Sequence, residues 1–178
     1  MADEYKDEYK KILSMDEDAV WSNSIQLLSI CLKQYYGTKT IILIDEYDVP
    51  LEDAYFSGYY DEMVRFIRSL FESALKTNSA LEFSVITGCL RISKESIFTG
   101  LNNLAVNSIL SNKYSESFGF VQSEVDELME YYNIEEKSQL MKKWYDGYLF
   151  GKSEVYNPWS VLNQTKEWFD DKDILAMP

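Results

Sequence analysis

Residues Thr40-Ile41-Ile42-Leu43-Ile44-Asp45-Glu46-Tyr47-Asp48-Val49-Pro50-Leu51 constrain this chain more than any other stretch. Four consecutive aliphatic residues run straight into Asp45, Glu46 and Asp48, and Pro50 closes the segment. An unbroken apolar run of this kind predicts a strand buried on both faces, as in a parallel sheet. Open α/β sheets bind their ligands at the carboxyl ends of such strands. An Asp ending a buried strand can order a Mg²⁺ ion, and a Glu after it can polarise an attacking water. The plain alternative is a core strand that finishes in a solvated acidic turn.

The 178 residues suit one domain, or one domain with a small appendage. A hydrophobic content of 46%, with aromatics at 15%, is enough for a substantial core. No apolar run approaches the ~20 residues needed to cross a bilayer. The opening Met-Ala-Asp-Glu-Tyr-Lys lacks the basic-then-apolar order of a signal peptide. A cytoplasmic protein without a membrane partner is therefore expected. Cys31 and Cys89 fall inside predicted apolar elements and are expected to pack as small core residues.

With no His in the chain, Ser-His-Asp triads, Cys-His dyads and His-ligated metals are excluded. Two isolated cysteines cannot build a structural zinc cluster, so any metal would be hard and oxygen-ligated: Mg²⁺, Mn²⁺ or Ca²⁺. A net charge of −13 argues against non-specific nucleic-acid binding, which needs a basic surface.

Along the chain, residues 3 to 14 read as a surface helix or frayed arm. Asp16 or Asp18 is placed to cap the next helix, which ends at Gly37 and should dock on the sheet through positions 25, 28 and 32. The acidic strand follows. A polar, aromatic loop is expected over Glu52 to Gly58, then an amphipathic helix from Tyr59 to about Lys76. Leu81 to Thr87 reads as a second buried strand, so that the helix-strand order implies a parallel pair with a right-handed crossover. Residues 91 to 104 read as a loop with one helical turn, and Ala105 to Leu110 as a short third strand. Ser123-Glu124-Val125-Asp126 has the form of a capping box opening a helix to about Tyr132. Further helices are expected from Glu135 to Tyr145 and after Asn157-Pro158.

Thr87-Gly88-Cys89-Leu90-Arg91 ends the second strand beside the first. There a hydroxyl could hold an attacking water, and Arg91 and Lys94 could neutralise phosphate charge. The plain alternative is a strand-ending Thr, a turn Gly and solvated cations. Asp45, Glu46 and Asp48 could instead form a stand-alone metal site of the nuclease kind, although no Lys follows at the usual short interval. Tyr145-Asp146-Gly147-Tyr148 and Tyr156-Asn157-Pro158 read as turns anchored by tyrosine packing. No G-x-x-x-x-G-K-[ST] phosphate loop exists among the seven glycines. Gly151-Lys152-Ser153 is a superficial match, with Asp146 standing where the first glycine belongs.

Several segments, in order, resemble the bacterial AAA-ATPase-like family, a divergent branch of the P-loop ATPases whose members often carry a PD-(D/E)XK-type nuclease domain at the C-terminus. They are Leu43 to Leu51; Thr87-Gly88 with Arg91, Ser93 and Lys94; Ser96-Ile97-Phe98; Gly100-Leu101-Asn102-Asn103-Leu104; Phe118-Gly119-Phe120; Trp144 to Tyr148; and Tyr156-Asn157-Pro158. The resemblance covers roughly residues 20 to 165.

It implies an α/β fold: an incomplete P-loop NTPase-like three-layer parallel sheet, holding the Walker B and sensor strands in residues 1–111, followed by a lid-like helical appendage in 112–178. By position, Asp45 is similar to the Walker B Asp that orders Mg²⁺ and Glu46 to the catalytic Glu, with Thr87 at the sensor position. Arg91 and Lys94 match phosphate or subunit-interface cations. ATP and Mg²⁺ are the implied cofactors. Family members carry a strand and a P-loop before this point, so the resemblance implies a fragment that lacks its N-terminal P-loop segment and the C-terminal nuclease domain. Loss of the P-loop strand should expose a sheet edge and invite homo-oligomers. A non-catalytic interaction module on the same scaffold is the alternative, and a metal-dependent nuclease a third.

Overall fold

The computed structural model describes residues 3–89, 97–98, 100–101 and 104–174. They fall into two compact units, residues 1–104 and 105–178.

In the first unit α1 spans Asp3–Leu13 and α2 spans Ser24–Tyr36, the latter entered through a 3₁₀ turn at Trp21–Asn23. Asp16 and Asp18 do not cap α2: the Asp16 carboxylate accepts from Asp18 N–H in a local turn at 2.9 Å. Gly37 ends α2 in the left-handed region (φ 72°), where its N–H donates to the Lys33 carbonyl. The inward face of α2 also differs from the expected one. Leu27 and Ser29 are buried while Leu28 and Leu32 face out, because α2 packs against the turn at Trp21 and the end of the long helix as well as the strand.

Strand β1 (Thr40–Ile44) pairs in parallel with β2 (Leu81–Ile86), with Ile41 opposite Phe83, Leu43 opposite Val85 and Ile44 opposite Ile86. Between them run α3 (Val49–Ser57), α4 (Tyr60–Phe71) and a π-helical turn at Glu72–Lys76. The loop expected over Glu52 to Gly58 is therefore helix. Pro50 lies in the first turn of α3, where a missing N–H costs nothing, and Gly58 caps its far end. Helix α4 has Asp61 and Glu62 in its first turn and Arg68 in its last, matching the helix dipole. It buries Val64, Ile67 and Phe71, which join Tyr47, Leu51 and Ile97 in one core, while Phe66 stays out.

The described sheet has only these two parallel strands, so a full three-layer P-loop-like sheet is not formed among the described residues. Nor is the pair covered on both faces. Ile42 is buried and Ile44 and Ile86 pack on the core, but Ile41, Leu43, Phe83 and Val85 are 63%, 73%, 59% and 39% exposed. Cys89 is exposed and Cys31 half-buried, so neither is a fully packed core residue.

The second unit holds α5 (Gln122–Tyr131), α6 (Ser138–Tyr145), β3 (Asp146–Phe150), β4 (Ser153–Tyr156) and α7 (Pro158–Asp170). Ala105 to Leu110 forms no strand among the described residues, and its Ile109 carbonyl accepts from the Gly151 N–H at 2.7 Å. Instead β3 and β4 form an antiparallel hairpin in a region expected to be helical apart from turns at Tyr145 to Tyr148 and Tyr156 to Pro158, and the rejected Gly151-Lys152 is its two-residue turn, with Gly151 at φ 57°. Helix α5 starts two residues earlier than expected, with Val121 and not Ser123 at its cap. The Glu124 carboxylate accepts from the Val121 N–H at 3.0 Å, which is half of a capping box, since Val121 has no hydroxyl to complete it. Asn157 caps α7, its side-chain oxygen accepting from Ser160 N–H at 3.3 Å. Val125, Met129, Ile134, Met141, Val161 and Trp168 form a fully buried core with Tyr156.

Candidate functional site

The carboxyl ends of β1 and β2 lie side by side because the strands are parallel and in register at Ile44 and Ile86. One residue further on, the ladder becomes a clasp. The Thr87 N–H donates to the Ile44 carbonyl at 2.8 Å, and the Tyr47 N–H donates to the Thr87 carbonyl at 3.1 Å. The Thr87 hydroxyl donates to Asp45 Oδ1, which also accepts from the Glu46 N–H at 3.1 Å. Asp45 and Thr87, forty-two positions apart, are thus brought into direct contact.

The chain turns sharply within this clasp. Glu46 has φ 52°, the left-handed region that a residue with a Cβ adopts at a cost of roughly 1–2 kcal/mol. Met15, Tyr114 and Asn133 share that conformation, so the strain alone does not mark a site. Its effect here is to let Asp45 and Glu46 remain exposed while Tyr47 dives into the core. The Tyr47 ring meets Phe98 edge-on at 5.1 Å, and Phe98 in turn stacks on Phe71 at 6.1 Å.

Gly88 completes the site. A Cβ there would stand 2.5 Å from Tyr47 Cε1 and 2.7 Å from Asp48 Oδ1, inside the contact distance of either. Because Tyr47 is buried and held by Phe98, it cannot swing aside. Gly88 is therefore required by close approach, a role that a simple turn glycine would not have. Tyr47 and Gly88 were invisible as site-builders in the sequence. The signal available was an aromatic lodged between acids and a glycine directly after the strand-ending hydroxyl.

Asp48 is buried just before α3 with its carboxylate against Gly88, so it does not share the open surface of Asp45 and Glu46. Among the described residues no three acidic or thiol side chains come together to hold a metal ion. Asp45, exposed and accepting two hydrogen bonds at Oδ1, could give one oxygen contact to a hard cation such as Mg²⁺ but could not cage it. Arg91 and Lys94 lie outside the described residues.

A model of the AAA-ATPase-like family, described as "Predicted AAA-ATPase", matches residues 1–98. Among curated proteins, the "Uncharacterized protein in vnfD 5'region" of Azotobacter chroococcum mcd 1 is 30% identical over 129 residues, covering 71% of this chain and 24% of that protein. The chain thus matches about a quarter of that relative's length. No solved structure matches the chain. No helix among the described residues is long and apolar enough to cross a membrane.

Proposed function

The chain belongs to the AAA-ATPase-like family, and on that footing we propose that Asp45 and Glu46 are the Walker B pair of a Mg²⁺-dependent ATP site. The observation that carries this reading is the Thr87 hydroxyl, which reaches from the neighbouring parallel strand to fix the Asp45 carboxylate. A solvated acidic turn would have no need of that cross-strand bond.

Each side chain has a distinct part. Asp45 would hold the Mg²⁺, which when bound offsets charge on the phosphate oxygens. Glu46, exposed at the turn beside it, accepts a proton from the attacking water. Thr87 spends its single hydroxyl proton on Asp45, leaving only lone pairs toward solvent. It is a positioning residue that acts through Asp45. Arg91 and Lys94 are proposed as phosphate-facing cations on the segment that follows β2.

These 178 residues contain no glycine-rich Lys-Ser or Lys-Thr loop to grip the β- and γ-phosphates. Background hydrolysis is expected from the chain by itself. In a polypeptide where a phosphate loop accompanies these residues, Glu46→Gln should lower turnover at least about 100-fold while Mg²⁺-ATP still binds. Turnover indifferent to Glu46→Gln overturns the assignment.

A second reading is favoured by the bare apolar face of the β1–β2 pair. On it, the scaffold serves as an interaction module, joining a second copy or a further segment of the same polypeptide. Light scattering distinguishes the two: a monomer at working concentration counts against self-association.

A further inference from the structure

The two aromatic segments that resemble the family's motifs, Trp144 to Tyr148 and Tyr156 to Pro158, converge within the second unit. Asp146 stands opposite Tyr156 in the β3–β4 ladder, which sets the end of α6 beside the start of α7. The result is a cleft of about 440 Å³ lined by Trp144, Tyr145, Asp146, Gly147, Tyr148, Asn157 and Ser160. That volume falls in the range of small-ligand sites.

The tyrosines around it divide into two kinds. Tyr145 donates its hydroxyl to Gln164 Oε1 at 2.7 Å, and buried Tyr156 donates to Gln122 Oε1, so both tie the fold together. Trp144 and Tyr148 do neither: they are 42% and 51% exposed and stand outside the core of the unit. Among the described residues that line the cleft, Asp146 is the one carboxylate and there is no Lys or Arg, although Lys143 directly precedes Trp144. Lys142, one turn back on α6, is directed to Glu154 at 4.0 Å. Burial first, and then the carboxylates Asp146, Asp126 and Glu154, raise the Tyr156 phenol to about 12.

Helix α6 ends at Tyr145, so its carbonyls bring partial negative charge to the cleft, offset in part by Lys142 and Lys143 in its last turn. Helix α7 begins there with the opposite sign, but several of its first backbone positions offer no free donor. Pro158 has no N–H, Ser160 N–H goes to the Asn157 side chain, and Val161 N–H goes to the Asn157 carbonyl at 3.1 Å. Exposed aromatic walls with one carboxylate and no base are the chemistry that receives organic cations.

We propose that this cleft binds a guanidinium or ammonium group, with Trp144 and Tyr148 as its walls and Asp146 as its counter-ion. The test is an NMR titration of the whole chain, following the Trp144 indole (assigned through Trp144→Phe) and the Tyr148 ring. Acetyl-arginine amide should shift both saturably, whereas acetyl-citrulline amide, the neutral isostere, should not. Asp146→Asn and Tyr148→Ala should each weaken arginine binding about tenfold or more. Tyr148 is exposed, so its loss leaves the fold intact, and unchanged resonances from Trp168 verify that. A short peptide with one central arginine that binds more tightly than the amide identifies the source as a protein side chain. Equal affinities identify a free small cation. Equal response to citrulline, shifts that persist in Asp146→Asn, or no shift at all overturn the proposal.

Discussion

The two units of this chain solve the burial problem differently. In residues 105–178 the helices α5, α6 and α7 and the hairpin close around side chains with no exposure at all, from Val125 to Trp168. In residues 1–104 the helices α3 and α4 build a comparable core beneath one face of β1 and β2, yet the other face holds four large apolar residues in cross-strand register and open to solvent. Parallel pairs are ordinarily covered on both faces. The unit that carries the acidic strand end is thus the less self-sufficient of the two. The difference teaches that the candidate chemistry sits on a strand pair with one apolar face left bare by the described residues, while the second unit encloses its core.

The largest expected effect lies in the second unit. Trp168 is wholly buried, donates its indole N–H to the Ile174 carbonyl at 3.0 Å, and has Lys137 over its ring at 5.8 Å. Trp168→Ala should cost about 3–5 kcal/mol, read as a lower denaturant midpoint for the second unit. A cost below about 1 kcal/mol would erase the contrast between the units.

Next comes the clasp. Gly88→Ala forces a methyl into Tyr47 and Asp48, and neither can retreat without disturbing Phe98 or the start of α3. Overpacking of that kind costs about 1–3 kcal/mol, and thermal unfolding measures it. At Gly147, where no atom lies within 4 Å of an added Cβ, the same substitution should cost far less.

The pH response separates the units again. Tyr156 holds its proton to about 12 in the folded state against the ordinary value near 10, because burial and then Asp146, Asp126 and Glu154 disfavour the phenolate. Below pH 10 both folded and unfolded phenols are protonated, and the full stabilisation is present. Above it the unfolded chain releases a proton that the folded one keeps, so stability falls as pH rises from about 10 to 12. The measurement is the difference between the parent and Tyr156→Phe. That variant should show a shallower decline in the alkaline limb, and equal slopes would show that Tyr156 is not held neutral.

Much of this was written in local pattern. The aliphatic run of β1, the apolar spacing of α4, Gly37 after α2, and Asn157-Pro158 before α7 each placed an element to within a few residues. Neighbouring parallel strands then implied that Asp45 and Thr87 would meet. What escaped depends on contacts far apart in sequence. The β3–β4 hairpin has no alternating burial to announce it, since Gly147, Tyr148 and Leu149 are all exposed in succession. Pro50 read as a terminator because its place in a first helical turn depends on the left-handed step at Glu46 just before it. The open face of the sheet could not be read at all: Ile41 and Leu43 look like core residues in any sequence, and only the arrangement of their neighbours leaves them bare.

The smallest expected effect tests that bare face directly. Leu43→Thr and Phe83→Thr keep strand propensity while removing apolar surface that the described residues do not bury. In the monomeric chain each should change stability by no more than about 0.5 kcal/mol, because no packing is lost. The same substitutions should reduce any self-association seen by light scattering, since a partner covering the face would lose its apolar contact. A cost near the ~2–5 kcal/mol of a buried Leu truncation would mean that something already covers Leu43 in solution. Little change in stability together with weakened association would place the incompleteness of the sheet at this face, and would tie the acidic site to whatever segment closes it.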